Sequence, residues 1–355
     1  MKVLLLHGYS ATNAGDGLLV EESITLIREV LGSAVEVTLL ASRPETFSSY
    51  DDGPVYNSRP TLRGLSHEYL RTIRNIQQFD YVFGVGGGYL RAGTFIEGLK
   101  CALVHGPQLL AAGRVGERVA YLPQSVGPAR GITAMVLRRA LSRMALVCVR
   151  DDRSLSLLTA RNAARFPDLA LMSQEWVPRR EAAISSQPIL SVRESRGGVP
   201  APVLDLAKRL GSFDGYVQSR GASNDDARAM QSLRPATVVT RAELLRTDGP
   251  RRVVIAMRLH AALMALAAGH YVVHLSYERK GFGAFADLDM QEYVHNVFRF
   301  SADDVLTQAE SLLGKESARR EYDQRIDDAR LSLQAERTRL TNELRRALAS
   351  GRPER

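Results

Sequence analysis

Met257-Arg258-Leu259-His260-Ala261-Ala262 holds a guanidinium and an imidazole two residues apart. The stretch follows residues 252–256, a short β-branched run that reads as a buried strand. It precedes residues 261–268, alanine- and leucine-rich and of helical character. Both groups therefore fall at the carboxyl end of a strand, where a helix begins. Open α/β sheets bind ligands at such places, and the free N–H groups of a helix start attract anions. Arg193 closes a second predicted strand, and Lys280 follows a third through Ser276-Tyr277-Glu278-Arg279. Arginine grips a carboxylate or phosphate bidentately, and lysine adds a point charge. Three cations on separate strand ends read as an anion clamp, although each alone is more often a solvated surface charge.

The first half carries polar groups at equivalent places. Asn13-Ala14-Gly15-Asp16 lies in the first strand-to-helix loop. It lacks the GK[ST] of a phosphate-binding loop, and residues 8–13 do not match GxGxxG, which argues against a nucleoside triphosphatase or a dinucleotide site. Asp16 suits a helix cap as well as a role in binding or proton transfer. Gly84-Val85-Gly86-Gly87-Gly88 also fails GxGxxG, because Tyr89 takes the sixth position. Gly87 and Gly88 serve either a tight turn or the close approach of a ligand. Gln124-Ser125 and Arg150-Asp151 line the next two strand ends, and Asp168, after Pro167, reads as a turn residue.

The elements that would position these groups alternate strictly. Strands are predicted over 3–6, 35–40, 81–85, 118–122 and 146–149, with helices over 17–31, 62–77, 95–112 and 134–142. Residues 42–59, with Pro44 and Pro54, read as a long loop. Residues 167–187, with Pro167 and Pro178, lose periodicity and read as a crossover. Alternation resumes with strands over 189–192, 215–217, 237–239, 253–256 and 271–275 and helices over 203–210 and 303–313. The pattern predicts an α/β fold: two Rossmann-like doubly wound domains facing a cleft, residues 1–175 and 188–315. A charged helix over 316–349 follows, with Ile326, Leu331, Leu333, Leu340, Leu344 and Leu348 partly on one stripe. It suits packing across both domains or self-association.

Composition sets bounds. At 355 residues the chain exceeds one ordinary core. Its 47 Lys and Arg against 39 Asp and Glu leave a net charge of +8, which favours anionic partners such as phosphorylated substrates or an anionic membrane surface. No basic block, zinc-finger spacing or aromatic-rich basic strand supports nucleic acid. Cys101 and Cys148 fall in apolar runs and read as reduced core residues of a cytosolic protein, and no CxxC or HxxxH spacing calls for a metal. The apolar start reaches His7-Gly8 too soon for a signal peptide, and no run has membrane-spanning length.

Seven short motifs occur in one order: Asn13-x-Gly15-Asp16, Val85-Gly86-Gly87-Gly88, Pro123-Gln124-Ser125-x-Gly127-Pro128, Arg150-Asp151-x-x-Ser154, Ser191-Val192-Arg193, Arg258-Leu259-His260-Ala261 and Tyr277-x-x-Lys280. The ordered set resembles the polysaccharide pyruvyl transferase family over roughly residues 2–300. The resemblance implies a B-type glycosyltransferase-like architecture. It also implies transfer of the pyruvyl group of phosphoenolpyruvate onto two hydroxyls of a sugar, giving a cyclic ketal. Phosphoenolpyruvate would be the co-substrate, with no other cofactor. Carried over by position, Arg193, Arg258, Leu259 and Lys280 would hold phosphoenolpyruvate, with His260 as general acid and Arg258 beside it at the reacting centre. Asn13, Asp16, Gly87, Gly88, Gln124 and Ser125 would line the acceptor side. Pro167-Asp168-Leu169-Ala170 departs from the Asp-Pro-Ala expected there. Partners would be a sugar or glycan of a cell-envelope or extracellular precursor, and the positive charge suits a lipid-linked one. Location would be cytoplasmic, with peripheral contact at the inner membrane face. The alternatives are a nucleotide-sugar-dependent glycosyltransferase or epimerase of the same architecture, and a non-catalytic scaffold.

Overall fold

The computed structural model describes residues 1–62, 64–129, 131–158, 160–173, 176–177, 181–220, 225–349 and 351. The chain splits into two compact units. One comprises Met1–Ala11, Asp16–Leu169 and Ala335–Arg355; the other comprises Thr12–Gly15 and Ala170–Gln334. Residues 174, 175 and 178–180 of the expected crossover, Pro178 among them, lie outside the described residues.

Among its described residues the first unit holds eight strands: β1 (Lys2–Gly8), β2 (Glu36–Ala41), β3 (Val55–Asn57), β4 (Tyr81–Gly84), β5 (Gly87–Ala92), β6 (Val119–Ala129), β7 (Leu146–Val149) and β8 (Ala163–Arg165). They pair in parallel in the order β3-β2-β1-β4-β6-β7-β8, with β5 on the far part of β6. A parallel sheet covered on both faces buries its central strands completely, and Val3 to Leu6 are accordingly inaccessible. The order reverses between β1 and β4, which opens a crevice at their carboxyl ends.

The second unit holds β9 (Ile189–Ser191), β10 (Asp214–Tyr216), β11 (Val238–Val239), β12 (Val253–Ala256), β13 (Tyr271–Ser276) and β14 (Val294–Asn296). These are parallel in the order β11-β10-β9-β12-β13-β14, and the reversal falls between β9 and β12. Ser191 lies opposite Ala256 in that pair. Helix Leu259–Ala267 follows β12 and is buried almost all round, which its unbroken apolar sequence requires.

Several expected elements are corrected. The supposed loop 42–59 contains a 3-10 turn at Pro44–Thr46 and the edge strand β3, whose three residues follow Pro54 too closely to show a period. Glycines 87 and 88 open β5 rather than ending a strand. β6 runs through Pro123 instead of stopping before it. Its pairing passes from β4, which ends opposite Tyr121, to β5, which starts opposite Gln124. Pro123, with no N–H for a ladder, sits at that hand-over, where the register with β7 also shifts. The helix expected over 95–112 is broken into Phe95–Val104 and Gly106–Ala112, since Pro107 cannot sit inside one continuous helix.

Helix Glu316–Ala349 is continuous over 34 residues. Its residues up to Gln334 belong to the second unit, where Tyr322 Oη accepts from Val272 N at 2.8 Å and Arg251 pairs with Asp323 at 2.6 Å. From Ala335 it belongs to the first, where Leu340, Leu344 and Leu348 are buried. Leu331, expected on the apolar stripe, is exposed instead.

Candidate active site

In the second unit, Arg193 and Arg258 each stand two residues beyond a matched pair in the sheet, Ser191 and Ala256, on either side of the switch point. Alternation along adjacent parallel strands gives the four residues one parity. Arg258 is 7% exposed, and its Nε and Nη2 donate to the two oxygens of Asp226 at 2.8 and 2.6 Å. Burial opposes the Arg258 charge, yet the hydrogen bonds and charge of Asp226, with Tyr277 adding to them, push its pKa above the ordinary guanidinium value. Arg193 Nη1 donates to Tyr277 Oη at 2.9 Å, with its guanidinium carbon 4.9 Å from the ring centre. Arg258 hydrogen-bonds the same tyrosine. One phenol oxygen therefore accepts from both guanidiniums, and its own hydrogen is left for a third partner.

His260 is the second residue of helix Leu259–Ala267 and is half-buried. The segment of residues 12–15 lies along 218–220: Ala14 N donates to Gln218 O at 3.2 Å, and Asn13 bridges Ser219. Asn13 Oδ1 accepts from Gly15 N at 3.2 Å. A Cβ on Gly15 would stand 2.3 Å from His260 Nδ1, so only glycine lets this segment close on the imidazole. Leu259 is buried in the core, and what it can offer a ligand is its N–H in the first helical turn. Lys280 pairs with Glu278 at 3.1 Å. Ser191 Oγ and both amide atoms of Gln218 are buried without a protein hydrogen-bond partner among the described residues. Such groups cost roughly 1–3 kcal/mol unless a ligand or water completes them.

A family model for polysaccharide pyruvyl transferase matches residues 13–279, which span every residue of this cluster. The chain belongs to the polysaccharide pyruvyl transferase family. Membership makes it a transferase, and it supports a glycan acceptor and a separate donor. Solved structures agree on the fold. A glycosyltransferase from Rickettsia africae is 10% identical, covers 98% of each chain and gives a TM-score of 0.59. An α,α-trehalose 6-phosphate synthase from Burkholderia multivorans is 11% identical over 99% of both chains, with a TM-score of 0.51. MnaA of S. aureus, solved with UDP, is 10% identical over 99% of both, at 0.54. At this identity the likeness concerns the B-type glycosyltransferase architecture alone. A comparison with curated proteins finds no match.

The remaining residues expected in this pyruvyl transferase family member lie in the first unit. Asp16 stands in the first turn of helix Ala14–Leu31, where a carboxylate complements the helix dipole. Gly87 adopts φ 152°, and a Cβ on Gly88 would meet Arg150 Nη2 at 3.5 Å. Gln124 is fully buried, its amide atoms without a protein partner among the described residues. Ser125 Oγ accepts from Arg150 Nε at 3.0 Å, and Arg150 forms a buried ion pair with Asp168. Asp168 is thus an anchored counter-charge, not a turn residue.

Sequence reasoning missed Asp226, since nothing in Asp225-Asp226 tells which strand end the loop returns to. It also missed His7, at the carboxyl end of β1 with φ 69°. His7 Nε2 shares a hydrogen bond with Tyr121 Oη at 2.7 Å, and its Nδ1 faces His105 Nδ1 at 3.1 Å. Burial, and to a lesser degree His105, holds the His7 pKa well below its usual value, and burial lowers His105 to about 4. Of the two facing nitrogens, one carries hydrogen and the other accepts. Among the described residues no group of three or more His, Cys, Asp or Glu side chains is placed to hold a metal ion.

Proposed function

We propose that the protein transfers the pyruvyl group of phosphoenolpyruvate to two hydroxyls of a sugar in a cell-envelope or extracellular glycan precursor, forming a cyclic ketal and releasing phosphate. The observation that carries this reading is the arginine pair joined through Tyr277 beside His260, in a chain of this family. Phosphoenolpyruvate presents a carboxylate and a phosphate on three carbons, which suits two guanidiniums and a phenol hydrogen. His260 gives a proton to the methylene carbon, and C2 becomes electrophilic. A sugar hydroxyl adds to C2, the C2–O bond to phosphate breaks, and the second hydroxyl closes the ring. Of the two hydroxyl protons released, one restores His260 and the other leaves with phosphate. Arg258 and Arg193 stabilise the departing charge, and Asp226 is a positioning residue that keeps Arg258 in its rotamer. Lys280 is the further residue proposed for phosphoenolpyruvate, and Asn13, Asp16, Gly87, Gly88, Gln124 and Ser125 are those proposed for the acceptor. The proposal includes no other cofactor and a cytoplasmic location for the reaction.

A screen of sugar acceptors with phosphoenolpyruvate tests this. Expected are phosphate release that depends on acceptor and a product heavier by one pyruvate ketal. Phosphoenolpyruvate should also raise the melting temperature more than uridine nucleotides do. Stabilisation by the nucleotides alone, with no phosphate released, would move the assignment to a nucleotide-sugar enzyme on the same fold.

A further inference from the structure

The first unit turns apolar side chains outward on three consecutive helices. In Phe95–Val104, Phe95, Ile96, Leu99 and Leu103 are between 51% and 85% exposed, and Cys101 is the residue that the helix buries. Leu110 is exposed on Gly106–Ala112. On Gly131–Leu141, Ile132, Met135 and Val136 are exposed at i, i+3 and i+4, while Ala134, Leu137 and Leu141 bury the opposite stripe. The inner residues Cys101, Leu109, Ala112, Leu137 and Leu141 share one core cluster. The three helices thus form one layer, and their outer faces form one surface. Scattered exposed hydrophobics are ordinary, but a contiguous group marks a contact surface.

The same surface is cationic. Among the described residues of these helices and the turn after Gly106–Ala112, the exposed acids are Glu97 and Glu117. Lys100, Arg114, Arg138, Arg139 and Arg143 are exposed. Arg138 and Arg139, with Met135, line an open groove of about 780 Å³ beside helix Gly131–Leu141. A second copy of this face would set like charges against each other. An anionic bilayer complements both properties: aliphatic side chains enter the headgroup boundary, and cations meet lipid phosphates. No described helix is long and apolar enough to cross a membrane, so contact would be at the surface.

We propose that this three-helix face docks the protein on an anionic lipid bilayer, with Ile96, Leu99 and Leu103 entering the interface and Arg138 and Arg139 holding lipid phosphate. The inference does not depend on the ketal chemistry, and its test reads binding rather than turnover. Full-chain protein is floated with vesicles of phosphatidylcholine, with or without phosphatidylglycerol. Binding is expected with phosphatidylglycerol only and should weaken as salt rises. The variants Ile96→Gln/Leu99→Gln/Leu103→Gln and Arg138→Gln/Arg139→Gln should each lower partitioning by roughly tenfold or more. Their circular dichroism melts should match the parent, because all five side chains are exposed. Equal recovery with both vesicle types, or binding unaffected by either variant, overturns the proposal. So does a dimer in sedimentation equilibrium that the apolar variant dissociates, which would assign the face to a second copy.

Discussion

Tyr277 is the residue through which the two site arginines meet, and its oxygen is the group whose loss both would register. Tyr277→Phe should raise the KM for phosphoenolpyruvate about tenfold, the worth of one hydrogen bond to a charged group, with a smaller change in kcat; steady-state phosphate release separates the two. His260→Ala should lower turnover by two to four orders of magnitude, while calorimetry should find phosphoenolpyruvate binding changed far less. Near-parental turnover in a folded variant would remove the acid assignment. Gly15→Ala puts a methyl group where His260 Nδ1 now lies 2.3 Å away. It should therefore cut kcat through displacement of the ring, with the melting temperature little altered. Arg193, Arg258 and His260 were legible in the sequence because a charge closing an apolar run announces a strand end. Asp226 was not, since it meets Arg258 only through a contact 32 residues away that no local period encodes.

At the level of elements, the strands that alternate with amphipathic helices were plain, and the ones that failed share a cause. β3, β5 and the far half of β6 lie beside prolines or glycines, which read locally as punctuation. They are strands because a neighbour's edge is available, and that is tertiary information. The long helix Glu316–Ala349 was legible to the residue, and so was most of its contact stripe, with Leu333, Leu340, Leu344 and Leu348 buried and Leu331 exposed. Arg337 occupies a core position, 5% exposed, between Leu333 and Leu340. It is tolerated there because Glu29 and Glu22 pair with it at 2.7 and 3.3 Å. Arg337→Ala removes one partner of these buried ion pairs and should cost roughly 3 kcal/mol. Urea unfolding checks this, and a midpoint equal to the parent's would show that the pairs contribute nothing net.

For the molecule as a whole, buried neutral histidines set the acid limb of stability. Burial is the main cause that lowers His274 to about 4; the Ala256 carbonyl at 2.7 Å opposes it, and Lys280 adds to it. An unfolded histidine titrates near 6.5, so between about 6.5 and 4 the unfolded chain binds protons that the native one refuses. Stability is therefore full above pH 6.5 and falls as pH drops toward 4, by roughly 3 kcal/mol from His274 alone. His7 and His105 act in the same direction. Urea midpoints across this range should decline steadily, and His274→Asn should flatten the decline even if it lowers the plateau. A profile flat down to pH 4 would contradict the assignment.

Neither unit is one uninterrupted length of chain. A polypeptide leaving the ribosome delivers residues 16–169 early, yet their unit waits for Ala335–Arg355, which arrive after all of the other unit. Until then the ion pairs of Glu22 and Glu29 with Arg337 cannot form. The part of the protein that is synthesised first is thus sealed last, and a chain stopped just short of residue 335 should hold one finished unit and one still open.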